Sequence, residues 1–273
     1  MNTEPVIVCA APARRGEAER LAADTALPLL GALPVTPGAL ALIFGEQRLE
    51  LRLTGRGSPG PVYVDFGAGA TGRRGRQASI RDEALARAAG LGRGWRPEIV
   101  DATAGLGRDS FILAALGCRV HAWERHPLIA ALLRDGLDRA AREPALQATV
   151  ARITLRQGDS SELLAGMQAD VVLVDPMHPP RSKSAAVKKE MQILQHLLGQ
   201  DENAPGLLAS ALSAARDRVV VKRPRHALPL TGPEPMHSVT GKSTRFDIYR
   251  GQATGPDDPV DRCTAGQSDN TQK

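Results

Sequence analysis

Aromatic residues are scarce, at 3% of a 273-residue chain: two Trp, two Tyr and four Phe. That scarcity argues against a surface that grips single strands through rows of stacking rings. It also means the core must be assembled from Leu, Ala, Val and Ile. Cysteine is nearly absent too. Cys9, Cys118 and Cys263 lie far apart with no CxxC among them, so a zinc site is unsupported, and their odd number argues against a disulfide framework. His121, His126, His196, His226 and His237 show no metal-ligand spacing either, and no metal is expected. No apolar run reaches the roughly 18 residues needed to span a bilayer. The start, MNTEPVIVCAAPARRGEAER, lacks the basic opening and long apolar stretch of a secretory signal. These absences make a cytoplasmic protein without membrane contact the expectation, and a monomer is expected.

What is present is ordinary in bulk. Apolar residues are 42% and charged residues 24%, as in globular proteins generally, and the length suits one large domain or a domain with a smaller companion. The formal net charge of +5 suits a polyanionic partner.

The pattern divides the chain. Residues 1–76 read as a small α+β region: PVIVCA, ALALIFGEQRLELRLTG and PVYVDFGAG are strand-like, and EAERLAADTAL is a helix candidate. GATGRRGRQ, 69–77, reads as a mobile connector because Gly and Arg dominate it. From 77 to 251 helix and strand alternate. Helices are expected at 79–91 (Ser79 as N-cap), 108–117, 127–143, 160–167, 184–198 and 205–216. Strands are expected at 98–103, 118–124, 152–158, 169–176 and 218–224, with a closing hairpin from HSVTGK and TRFDIYRG. The polar stretch 252–273 is expected to be disordered. Repeated strand–helix–strand units imply a mostly parallel sheet with helices on both faces. Ligands then bind beyond the carboxyl ends of the strands, near the switch in strand order.

Two strand ends carry chemistry. VDATAGLGRDS, 100–110, is a strand, a glycine turn and a helix start. Gly105 and Gly107 permit positive φ and close backbone approach. Glu124 closes the next strand, where an acid can accept hydrogen bonds from ribose hydroxyls. A dinucleotide fold and an S-adenosylmethionine fold share this layout. The first wants a third glycine where Ser110 stands. The second commonly carries an acid ahead of the glycines to meet the methionine ammonium, and Asp101 has that spacing. The other end is VVLVDPMHPPRSKSAAVKKEM, 171–191. Asp175 follows a buried strand, and prolines at 176, 179 and 180 stiffen the turn. Methylation of an exocyclic amine needs acceptors for both N–H groups, because the nitrogen lone pair is delocalised into the ring. The Asp175 carboxylate and the Pro176 carbonyl can supply them. The cations Arg181, Lys183, Lys188 and Lys189 suit a phosphate backbone beside such a site. So do two further patches, Arg73, Arg74 and Arg76, and Lys222, Arg223 and Arg225.

Taken together, VDATAGLGRD, GCRV…ER, LVDPMHP, KSAAVKKEM, VVVKRP and RFDIY resemble the ribosomal RNA small subunit methyltransferase J family, over roughly 95–250. The resemblance implies a Rossmann-like class I fold with a mostly parallel seven-stranded sheet. It also implies S-adenosylmethionine as donor, S-adenosylhomocysteine as product, and transfer to guanine N2 of small-subunit rRNA, free or in the subunit. By the same resemblance Arg108, Asp109, Glu124, Arg125, Ser160, Ser161 and Asp175 hold the donor. Glu124 and Asp175 also follow from the residues themselves; Arg108, Arg125 and Ser161 rest on the resemblance alone. His178 departs from the aromatic favoured after D-P-M, where a flipped base would stack. The alternatives are an NAD-dependent oxidoreductase, disfavoured by Ser110, a silent RNA-binding protein on the same fold, and a methyltransferase acting on another amino group.

Overall fold

The computed structural model describes residues 4–92, 94–176, 193, 194, 197 and 204–253. The expected helix at 184–198 apart from 193, 194 and 197, which are helical, the cations at 181–189, His178 and the tail from 254 lie outside the described residues.

The chain opens with β1 (Val6–Cys9), α1 (Arg15–Thr25), β2 (Leu29–Leu30) and the hairpin β3 (Leu40–Phe44) and β4 (Leu49–Leu53). These make a four-stranded sheet in the order β2-β1-β3-β4. PVYVDF adds only an isolated bridge, Val62 to Leu51, rather than a regular strand.

The segment expected to be a mobile connector is instead α2 (Gly69–Gln77). Its glycines permit close packing. A Cβ at Gly75 would stand 2.4 Å from the Phe111 ring, and one at Gly72 2.7 Å from the Gly67 backbone. The helix expected over 79–91 shrinks to α3 (Ala84–Ala88). Ser79 closes a turn ahead of it, donating to Asp82 at 2.6 Å and accepting the Asp82 N–H at 3.2 Å.

The alternating part follows: β5 (Glu98–Asp101), α4 (Arg108–Ala115), β6 (Arg119–Glu124), α5 (Pro127–Ala140), α6 (Pro144–Val150), β7 (Ile153–Gln157), α7 (Ser160–Leu164), β8 (Ala169–Val174), α8 (Ala204–Ala214), β9 (Ala215–Pro224), β10 (His237–Thr240) and β11 (Thr244–Arg250). The helix expected over 127–143 ends at Ala140, and α6, which was not expected, follows it. Pro144 drives Glu143 into extended backbone (φ −92, ψ 115) and opens α6.

The large sheet has the order β10-β11-β9-β8-β5-β6-β7. Strands β7, β6, β5, β8 and β9 run parallel, and β11 is antiparallel to β9. Alternate residues face opposite layers. Val100, Val172, Val219 and Val221 pack with Leu208 and Ala211 of α8, while Ile99, Val171, Leu173 and Val220 pack with Leu85 and Leu113. The chain leaves β5 outward to β6 and β7, then returns to β8 on β5's other side. The crevice of an open parallel sheet opens at that reversal.

Candidate active site

β5 ends on Asp101, and the chain turns through 102–107 before α4 begins. Gly105 and Gly107 adopt φ of +54 and +73. A Cβ at Gly107 would stand 2.4 Å from Leu133 of α5, whereas at Gly105 the nearest atom would be 3.9 Å away. Gly107 therefore seats the turn on α5, and Gly105 leaves room beside it. The Gly105 N–H donates to one oxygen of Glu124 at 2.9 Å and the His126 N–H to the other at 2.8 Å. Glu124 thus ties the end of β6 to the glycine turn. Burial raises its pKa against the pull of those donors.

Asp101 is buried, accepting the Ser110 hydroxyl at 2.5 Å and the Thr103 N–H at 3.3 Å. Burial pushes its carboxyl up to about 7; Ser110 opposes the shift, and Asp109 and Asp175 add to it. Ser110, in the place of a third glycine, is thereby committed to Asp101.

Asp175 follows β8. Its N–H donates to the Thr103 hydroxyl at 2.6 Å, which joins the two strand ends. The Lys222 ammonium of β9 lies 2.7 Å from Asp175 and 2.7 Å from Asp109, in the first turn of α4. Arg74 of α2 reaches Asp109 at 3.5 Å and Glu83 at 2.6 Å. Burial opposes charge on Asp109, but Lys222 and Arg74 outweigh it and hold the carboxyl below the usual range. At Asp175 burial wins over Lys222 and the carboxyl is raised. Burial would lower Lys222, yet the two aspartates outweigh it and raise the ammonium. Across the crevice α7 is capped by Asp159, which accepts the Ser161 N–H at 2.7 Å, while the Ser160 hydroxyl donates to the Ala102 carbonyl at 2.5 Å.

One cavity is lined by Asp101, Gly105, Arg108, Asp109, Glu124, Arg125, Ser160, Ser161 and Asp175. Gly107 supports that wall from behind, and Pro176 is buried next to Asp175. The structure therefore brings together sequence-selected residues spread over 75 positions. Of the two basic groups expected at RNA that lie among the described residues, several members are engaged within the protein. Lys222 and Arg74 turn to carboxylates, and Arg76 donates to the Gly67 carbonyl at 2.8 Å. Sequence reasoning missed Thr103, Asp159 and Lys222 as members of the site. Asp159 had a signal, since D-x-x-E (Asp159, Glu162) is a capping pattern. Lys222 had a weaker one, a cation placed directly at the end of the buried run VVV.

The donor set suits S-adenosylmethionine: acids at the carboxyl ends of β5 and β6, open backbone beside Gly105, and apolar Ile129, Leu194 and Leu207 on the wall. Fold and site are those of a class I S-adenosylmethionine-dependent methyltransferase. Residues 32–251 match the family described as "Putative SAM-dependent methyltransferase". The ribosomal RNA small subunit methyltransferase J of Thioalkalivibrio sulfidiphilus is 51% identical over 86% of this chain and 93% of its own. That of Coxiella burnetii is 48% identical over 91% and 98%. A crystal structure of a SAM-dependent methyltransferase from Neisseria gonorrhoeae superposes with a TM-score of 0.70 at 35% identity, covering 91% of this chain and 97% of that one. The chain belongs to the ribosomal RNA small subunit methyltransferase J family.

Proposed function

We propose that this protein, acting in the cytoplasm, methylates the exocyclic N2 of a guanine in small-subunit rRNA. The observation that carries this reading is the shared cavity. Glu124, closing β6, and Asp175, closing β8, both line it, with the glycine turn between them. S-adenosylmethionine, when bound, supplies an electrophilic methyl group on a sulfonium. Glu124 holds the ribose hydroxyls of the donor and Asp101 its ammonium; Arg108, Asp109, Arg125, Ser160 and Ser161 complete that side. Asp175 and the Pro176 carbonyl accept the two N–H groups of the target amine. They orient its nitrogen toward the methyl and favour its rehybridisation. No strong base is needed, because the proton can leave after transfer. Unstacking the guanine costs a few kcal/mol, and His178 is the proposed contact for the exposed base.

The proposed backbone contacts are Arg181, Lys183, Lys188 and Lys189. A second basic corner supports the same reading. Thr244 pairs with Pro224, so the β10–β11 turn with Lys242 stands at the carboxyl end of β9, on the side of Asp175. Arg225 meets the Lys242 carbonyl there at 3.4 Å, a contact that fixes it without cancelling its charge.

The test is nucleoside mapping of small-subunit rRNA from cells with and without the gene. One N2-methylguanosine should disappear and return with the wild-type copy but not with Asp175→Ala. An unchanged modification profile would overturn the reading.

A further inference from the structure

Among the acids lining the donor cavity, three act on one another from three elements: Asp101 from β5, Asp109 from α4 and Asp175 after β8. Left to themselves, like charges so close drive at least one into the neutral form. Asp175 is useful to an amine only as a carboxylate aimed at it. The structure shows what intervenes. The Lys222 ammonium sits 2.7 Å from Asp175 and 2.7 Å from Asp109, and both contacts engage the Oδ2 atoms. The backbone of Asp175 is fixed separately, by its N–H to Thr103.

We propose that Lys222 is a positioning residue for methyl transfer: its ammonium clamps one oxygen of Asp175 against Asp109, leaving the other oxygen for the target amine. The inference rests on the amine-methylating reading above. It reassigns a cation that the sequence groups with Arg223 and Arg225 as an RNA contact. Lys suits the task because a compact ammonium can serve two carboxylates at once, where a planar guanidinium prefers one in a fork.

The charged groups facing Asp175 are Lys222 and Arg223 of β9, Asp109 of α4 and Asp101 of β5, with Arg74 of α2 acting through Asp109. Of these, Lys222 is the strongest influence drawing Asp175 toward the charged form. Removing it raises the pH at which Asp175 ionises. Removing the charge of Asp109 leaves Lys222 wholly to Asp175 and lowers that pH.

Two measurements test the clamp on the full-length protein. The first is a carbon-13 titration of the aspartate carboxyls, with the Asp175 signal assigned by its loss in Asp175→Asn. The midpoint should move up in Lys222→Met and down in Asp109→Asn. The second is kcat at saturating donor against pH, on rRNA lacking the modification. Lys222→Met should lose roughly a hundredfold, the scale of a misplaced reacting group. Its acid limb should shift upward while S-adenosylhomocysteine binds within about threefold of wild type; a change that small is under 1 kcal/mol. Lys222→Arg should recover part of kcat. Midpoints unmoved in both variants would overturn the clamp. So would a Lys222→Met protein that keeps kcat and loses donor affinity, which makes Lys222 a donor contact. Should Lys222→Met not fold, Asp109→Asn and Lys222→Arg still give the midpoints. A wild type that titrates as expected but methylates no rRNA would sink the functional reading and leave the clamp standing.

Discussion

At the scale of the residue, Asp101 sets a pH dependence. A carboxyl at about 7 is raised above its unfolded value near 3.9. The native state therefore holds the proton more tightly, and this contribution to stability, present below about pH 4, is lost as pH rises through 7. Donor binding has the opposite sign, because an ammonium pairs only with the ionised form. S-adenosylhomocysteine affinity, read by calorimetry, should be flat above pH 7. Below it, affinity should fall by up to about tenfold per unit. In Asp101→Asn the plateau affinity should be lower and this pH dependence absent. A wild-type affinity constant from pH 5.5 to 8 would remove Asp101 from the ammonium. Asp101 is legible in sequence from its spacing to Gly105 and Gly107. Its protonation is not, because that comes first from burial in the assembled fold, with Asp109 and Asp175, 8 and 74 positions away, adding to it.

Among the elements, strands and long helices of the alternating part follow their apolar patterns to within a few residues. The clearest departure is α2. GATGRRGRQ has three glycines and three arginines, so local propensity argues against a helix. Packing decides otherwise, since only glycine lets α2 lie against Phe111 and the Gly67 backbone. Gly72→Ala should therefore cost about 1–3 kcal/mol in urea unfolding, because the atoms it meets are backbone and cannot swing away. Gly16→Ala in α1, where the nearest atom to the new Cβ is an Arg20 nitrogen at 3.6 Å, should instead gain about 0.5–1 kcal/mol. Equal effects at the two sites would mean that propensity alone governs α2. The β10–β11 turn makes a separate prediction. Arg225→Ala and Lys242→Ala should each reduce the slope of log affinity for rRNA against log salt by about one. S-adenosylhomocysteine binding should be unchanged, and an unaltered slope would remove that corner from the RNA path.

For the whole molecule, the sequence shows a change of pattern near residue 76 that invites a division into two units, and two sheets are present. Yet one apolar cluster runs through both, joining Leu42, Leu51 and Val64 to Ile112, Leu132 and Leu133. Phe66 stacks on Phe111 of α4 with centroids 4.6 Å apart. A Cβ at Gly136 of α5 would stand 2.3 Å from Val64. Asp135 of α5, buried, takes Arg14 at 3.0 Å and Arg139 at 2.9 Å, and Arg139 also donates to the Val64 carbonyl. Apart from the Asp135–Arg139 pair within α5, none of this was readable in advance, because each contact joins segments 45 to 121 positions apart whose local patterns are complete without it. The core therefore has no face along which to part. Heat or urea should unfold the full chain in one transition, with fluorescence of Trp95 and Trp123 and far-ultraviolet dichroism coinciding. Asp135→Ala removes the carboxylate shared by two half-buried cations, Arg14 keeping Glu17 at 2.8 Å and Arg139 keeping the Val64 carbonyl, and should cost about 1–3 kcal/mol, moving both probes together. A chain beginning at residue 77 exposes Phe111, Leu132 and Leu133 and should not fold on its own. A soluble, cooperatively unfolding 77–253 fragment that binds S-adenosylhomocysteine as the full chain does would show that the first sheet is an accessory rather than half of the core.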